Sequence, residues 1–272
     1  MGEAIQDKLG FHWPYSSILQ DRCNYAAMLY AALSHSQNAG RFLSFCDVPV
    51  TKDADVRYYF EYAFLRDLWN TELDNEKLRS ALRSFLKVGE IETIVAKPIH
   101  ELNGLFIESK SPSEKWVQSP GRWSVTKIDT VFPKNGDLLA ACKFKWAFNI
   151  KPDIVFEIDR DRAICIEIKY ESGEGQYPTN SKEKEIFRRR GIPYVGQTEV
   201  QKYMMEELLG MKTEFRFLVS KKATSSTHKV IDWKETLAAL DLSGLPAFQQ
   251  EMAKAISLAS GKRPDEEIAG EE

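Results

Sequence analysis

The sequence predicts a mixed α/β protein, with a central mixed β-sheet flanked by helices and preceded by a helical N-terminal region. Three observations predict it. The first third reads in helical periods, the chain from about Asp137 reads in short runs of Ile, Val, Phe and Ala, and these runs are interleaved with a helix whose two ends are marked. With 272 residues, 43% hydrophobic, 28% charged and 11% aromatic, the composition excludes disordered, collagen-like and low-complexity classes. The length permits one large domain or two modest ones.

The elements follow in order. From about Tyr15 to His35, Ile18, Cys23, Ala26, Met28, Leu29 and Leu33 recur at helical spacing, and Asp55 to Thr71 is a second such run rich in aromatics. Asp74 to Val88 is a third helix. The stretch 89–109 mixes short β-branched runs with Pro and Gly, and 110–124 is dense in turn formers, which marks the seam between domains. Leu138–Ile150, Asp153–Ile158 and Ala163–Tyr170 then read as strands. Thr198 with Gln201 three residues on forms a capping box, and Gly210 stops that helix. Glu214–Ser220 is one more strand and Asp232–Leu240 one more helix. The expected division is a helical region at 1–110 for recognition or dimerisation, a core at 111–245, and a C-terminal helix with an acidic tail at 246–272.

A net charge of −3 excludes a protein that coats nucleic acid by bulk charge, yet suits one that gathers carboxylates around a hard cation. Cys23, Cys46, Cys142 and Cys165 are too scattered for a CxxC knuckle and are expected to be reduced core thiols. The longest apolar run, Ala26 to Leu33, is far short of the roughly 18 residues that cross a bilayer. The N-terminus also lacks a charged-then-apolar signal pattern. A soluble cytoplasmic protein without a membrane partner is expected.

The informative segment is Lys151–Tyr170. Ile154, Phe156 and Ile158 alternate with Asp153, Val155 and Glu157, and Ile164, Ile166 and Ile168 alternate with Cys165, Glu167 and Lys169. For the two apolar faces to coincide across a hairpin, paired residue numbers must sum to an even number, so the connection needs an odd loop or a bulge. The same register puts Asp153, Glu167 and Lys169 on one face. Two carboxylates and an ammonium beside an apolar core imply a bound cation or phosphate. Asp153 and Glu167 offer oxygens to Mg²⁺, the Ile168 carbonyl is a third ligand, and Lys169 faces an attacking water. The other reading of the three is an exposed sheet face with a cross-strand ion pair.

Pro152-Asp153, thirteen intervening residues and Glu167-Ile168-Lys169 resemble the PD-(D/E)xK nuclease superfamily, the fold of many restriction endonucleases. Glu108-Ser109-Lys110 and Asp232-Trp233-Lys234 fit the triplet too, without a PD strand before them. The resemblance spans Asp137 to Ser220. It implies a restriction endonuclease-like core of a helix, three strands, a helix and a strand, with Asp153 and Glu167 as metal ligands and Lys169 as catalytic lysine. It further implies a Gln or Lys on the following helix, here Gln201 or Lys202, and a Glu on a helix before the first strand, for which Glu61 and Glu101 compete. Glu61 otherwise pairs with Arg57 one turn before it. Arg188, Arg189 and Arg190 lie between motif and helix, as phosphate contacts or as a solvated helix face.

The implied activity is Mg²⁺-dependent hydrolysis of DNA phosphodiesters, with Mn²⁺ substituting, in restriction or anti-phage defence and possible as a homodimer. The rivals are a catalytically inactive nuclease fold kept for DNA binding or assembly, and an RNase or exonuclease of the same fold.

Overall fold

The computed structural model describes residues 22–35, 37–51, 54–71, 73–108, 115–159, 161–169, 174–219 and 229–260. Tyr15–Asp21 of the first expected helix, the hairpin residue Arg160, Lys110 of the upstream triplet and the acidic stretch Asp265–Glu272 lie outside them.

The described strands are β1 (Arg57–Phe60), β2 (Ile154–Asp159), β3 (Arg162–Lys169), β4 (Gln176–Tyr177), β5 (Val195–Gly196), β6 (Lys212–Val219) and β7 (Lys229–Asp232). β4 and β5 form a separate antiparallel pair, and the rest form one five-stranded sheet in the order β1-β2-β3-β6-β7. β1, β2 and β3 are antiparallel, while β6 lies parallel to β3 and β7 parallel to β6, so the sheet is mixed.

The first helices are α1 (Arg22–Leu33), α2 (Asn38–Phe45), α3 (Phe64–Trp69), α4 (Asn75–Phe85), α5 (Ile91–Val95) and α6 (Ile99–Phe106). They are followed by α7 (Val125–Val131), α8 (Asn135–Ala147), α9 (Ser181–Arg190), α10 (Gln197–Lys202), α11 (Trp233–Ala239) and α12 (Ala247–Ser260). No helix among the described residues is long and apolar enough to cross a membrane.

Strand alternation sorts the side chains into two cores. Ile154, Phe156, Ile158, Ile164, Ile166 and Ile168 pack with α1, α2, α11 and α12, whereas Val155, Ala163 and Cys165 pack with α3 to α10 on the opposite face. The result is a helix–sheet–helix sandwich, and strands covered on both faces bury nearly every position. On the first face Phe156 is wholly buried and stacks on Phe42 at 5.5 Å. Burying such a ring is worth about 1.5–3 kcal/mol. The second core joins Leu82, Leu102, Trp123, Phe144 and Phe187, so its packing runs continuously across position 110.

The hairpin has the expected parity. Ile154 pairs with Ile166, Phe156 with Ile164 and Glu157 with Ala163, and the register then shifts at a bulge between Glu157 and Asp159. That extra residue keeps the six isoleucine and phenylalanine side chains on one face.

Two expectations are overturned. Leu138–Ile150 is no strand but most of α8 and its C-terminal turn. Leu138, Ala141, Cys142, Phe144, Trp146 and Ala147 are all buried, because α8 lies between sheet and outer helices, and a helix apolar on most sides hides its period. Its 13 residues exceed an ordinary strand, and length was the signal that separates the two. Asp55–Thr71 is likewise not one helix. Arg57–Phe60 is an edge strand on β2, with Tyr58 and Phe60 packed toward one core and Tyr59 toward the other, and only Phe64–Trp69 is helical. The aromatic run fits a pleated surface better than a helix, and cross-strand pairing decides it.

Candidate active site

The ends of β2 and β3 carry the site. Extending the hairpin register by one pair sets Asp153 opposite Glu167, and the Ile168 N–H donates to Asp153 Oδ2 at 2.8 Å. Lys169 Nζ donates to Glu167 Oε1 at 2.8 Å and to Gln197 Oε1 at 3.2 Å. Gln197 Nε2 donates to the same Glu167 oxygen at 2.7 Å, and Gln201 Nε2 donates to Glu167 Oε2 at 2.8 Å. Asp153, Glu167 and Lys169 are therefore brought together, with Ile168 linking two of them through its main chain.

The Lys169 and Glu167 side chains are only 5% and 4% exposed. This overturns the reading as an exposed sheet face with a cross-strand pair, for the two lie two residues apart on β3 beneath α10. A buried ion pair carries a desolvation penalty of several kcal/mol per ion, offset here by mutual attraction and by the two glutamine amides. Burial also raises the neighbouring Cys165 thiol, with the Glu167 charge adding to the effect, so Cys165 remains a protonated core thiol.

α10 supplies the amides, but not by the expected capping box. The helix begins at Gln197, Gly196 is its N-cap, and no side chain of its own caps it. Glu174 accepts from the Thr198 N–H at 2.7 Å, which frees Gln201 to reach Glu167. A Cβ on Gly196 would lie 2.8 Å from Glu174 Oε1, so a larger residue there would make the Glu174 carboxylate shift. Gln201 is fully buried, and its Oε1 has no hydrogen-bond partner among the described residues. Lys202 is 61% exposed and pairs with Glu206 instead. Gln197 escaped the sequence reading, although residues four apart share a helix face and its relation to Gln201 was visible. A π-turn, Tyr203–Leu208, follows, and Gly210 ends it with φ +71° as expected of a stop.

The remaining candidates fall elsewhere. Glu61 is not helical. It follows β1 with φ +47°, its N–H donates to the Asp153 carbonyl at 2.9 Å, and its carboxylate pairs with Lys151 at 2.9 Å rather than with Arg57. Sheet pairing turns the chain at that point and swings Glu61 away from Arg57. Glu101 is half exposed and pairs with Lys97. Arg188 pairs with Glu185, while Arg189 and Arg190 both pair with Asp129, fastening α9 to α7. Arg188 and Arg189 stay largely exposed, whereas Arg190 also donates to the Pro133 carbonyl and is a strut.

A second buried carboxylate, Glu157, accepts from Tyr62 Oη at 2.8 Å and Tyr59 Oη at 3.3 Å, with Arg57 at 3.6 Å. Burial foremost, and then the bond to Glu157, hold the Tyr62 phenol far above its ordinary range. A raised folded-state value means that this contribution is complete below the unfolded phenol value of about 10 and is lost as pH rises above it. Urea unfolding between pH 8 and 11.5 is expected to show stability falling above about pH 10, with a slope reduced by up to about 1.4 kcal/mol per pH unit in Tyr62→Phe. Equal slopes would refute the assignment.

Among the described residues no three His, Cys, Asp or Glu side chains gather as metal ligands. A cation at this site would draw on Asp153, Glu167 and the Ile168 carbonyl. Those are hard oxygen donors, and the orphaned Gln201 Oε1 is an acceptor beside them, a set that fits Mg²⁺ retaining several waters.

Fold and site thus define a mixed α/β protein with a buried carboxylate–lysine–glutamine cluster at the ends of two central strands. Comparisons with family models, with curated proteins and with solved structures return no match for this chain.

Proposed function

We propose that the protein is a Mg²⁺-dependent nuclease of the PD-(D/E)xK kind, acting on DNA phosphodiesters, with restriction or anti-phage defence as its setting. One observation carries this reading: Asp153, Glu167 and Lys169 converge at the ends of β2 and β3, joined by the Ile168 amide. The topology supports it. The order helix, three antiparallel strands, helix and parallel strand is met by α2, β1, β2, β3, α10 and β6, with the first strand drawn from Arg57–Phe60 and a helical insertion between β1 and β2.

In this mechanism Asp153, Glu167 and the Ile168 carbonyl hold the ion. A bound divalent ion supplies an acidified water and charge neutralisation at the phosphate. Lys169 holds a proton at the attacking oxygen or balances charge on the phosphate, and Gln197 and Gln201 keep the Glu167 carboxylate in place. Arg188 and Arg189 have exposed guanidiniums to offer a phosphate chain.

The test is cleavage of supercoiled, linear and single-stranded DNA, and of RNA, with Mg²⁺, Mn²⁺ or EDTA, beside melting curves. Cleavage is expected only with the metals. Millimolar Mg²⁺ is expected to raise the melting temperature, since an ion at 100 times its Kd adds about 2.7 kcal/mol, and Asp153→Asn is expected to remove that increment. The absence of both cleavage and a metal-induced shift would overturn the reading. One observation favours a second reading, an inactive fold kept for binding: the Glu167 carboxylate already accepts from three donors of this chain. On that reading DNA binds and no metal promotes cleavage.

A further inference from the structure

A groove at the sheet edge has no part in the phosphodiester chemistry. It encloses about 490 Å³ between β1 and α3. Its floor is the carboxylate of Glu157, and its walls are Tyr59, Tyr62, Phe64 and Leu68. Resting on the nuclease reading above, we propose that this groove takes one unpaired guanine of the substrate strand, stacked on Phe64 with its donor edge toward Glu157.

The walls suit a base. Tyr62 and Phe64 are stacked at 5.7 Å and 10°, so one Phe64 face is backed by a buried ring. Phe64 is 41% exposed and Leu68 46%, side chains that a monomer gains nothing by leaving in water together. Base–aromatic stacking tightens binding by roughly fivefold or more per base.

The floor selects the base. The Glu157 side chain is 9% exposed, and its oxygens accept from Tyr62 and Tyr59. An ionised carboxylate has about four lone-pair sites, so each oxygen retains acceptor capacity. Guanine alone presents two adjacent donors, N1–H and N2–H, on its Watson–Crick edge. Thymine presents one donor between two carbonyls, and adenine and cytosine present an amine beside a ring nitrogen acceptor that a carboxylate repels.

Position and charge agree. The Tyr62 N–H donates to the Pro152 carbonyl at 3.0 Å and the Glu61 N–H to the Asp153 carbonyl, so the groove hangs on the same backbone as Asp153. Glu157 lies four residues along β2 from Asp153, about 13 Å at strand rise, a span that a few nucleotides bridge. Glu61 keeps its left-handed backbone, a conformation unfavourable for a residue other than glycine, because those two bonds hold the turn. The carboxylates at the groove have cationic partners, Glu61 with Lys151, Asp67 with Arg66 and Glu157 with Arg57, the last shared with Asp55, which reduces their repulsion of a phosphodiester chain.

The experiment is fluorescence anisotropy of the full chain with labelled dT12, the same 12-mer with one central guanine, and one with hypoxanthine, which lacks the N2 amine. EDTA prevents cleavage. The single guanine is expected to tighten binding about tenfold over dT12 and hypoxanthine to forfeit most of the gain. Phe64→Ala, at an exposed position, is expected to keep the fold, checked by its melting curve, and to erase the preference. Equal affinities for the three strands, or a preference that survives in Phe64→Ala, would overturn the proposal. Cleavage that needs metal and Lys169 but ignores guanine sinks the groove and spares the nuclease. A Phe64-dependent guanine preference without cleavage under any metal keeps the groove and sinks the nuclease.

Discussion

Replacing Lys169 with alanine is expected to reduce metal-dependent DNA cleavage by several orders of magnitude. On the proposed mechanism an ammonium at the attacking oxygen would contribute as an acid–base group and as a positive charge, each worth roughly a hundredfold or more. Arginine is expected to rescue poorly, since a guanidinium stays protonated and its planar fork does not occupy the place of a compact ammonium. Lys169→Met, which keeps the aliphatic stem, separates chemistry from packing. Cleavage time courses on the wild type and the three variants, with metal-shift melting run alongside, decide the matter. A folded Lys169→Ala or Lys169→Met protein that cuts at the wild-type rate would refute the mechanism.

The second large effect is on stability. Lys169 and Glu167 form a buried pair, and breaking such a pair by removing one partner costs about 3–5 kcal/mol, because the other charge is left uncompensated. An exposed pair would cost at most about 1 kcal/mol. Lys169→Ala is therefore expected to lose about 3 kcal/mol or more in EDTA. Removing both charges in Lys169→Met/Glu167→Leu is expected to cost less than the sum of the single changes. Mg²⁺ is expected to stabilise Lys169→Ala more than the wild type, since a cation there replaces the missing ammonium beside Glu167. Chemical denaturation of the wild type, Lys169→Ala, Lys169→Met, Glu167→Leu and the double variant, with and without Mg²⁺, measures all three quantities. Strict additivity, or a loss below about 1 kcal/mol, would refute the coupled pair.

What could be read from the sequence follows from how local each signal is. The helix that opens at Asp74, Gly210 as a stop and the alternation in β2 and β3 are set within a few residues of chain, and all three are realised. The parity argument worked because the side-chain period of a strand is two, so a common apolar face leaves a bulge or an odd loop as the only options. α8 failed because residues buried on most sides show no polar face, and β1 failed because an edge strand of four residues is defined by its partner nearly a hundred residues away.

The same division holds at the site. By itself the sequence determined that Asp153, Glu167 and Lys169 share one face of a hairpin, because alternation fixes the face of every residue once one is fixed. Only the tertiary structure decided that Glu167 and Lys169 are buried, that Gln197 and Gln201 rather than Lys202 close over them, and that Glu61 turns to Lys151. Burial and long-range partners depend on which surfaces meet. α10 covers β3 because the chain after Lys169 crosses back over that face before entering the sheet again as the parallel strand β6, and no window of sequence contains both sides of that contact.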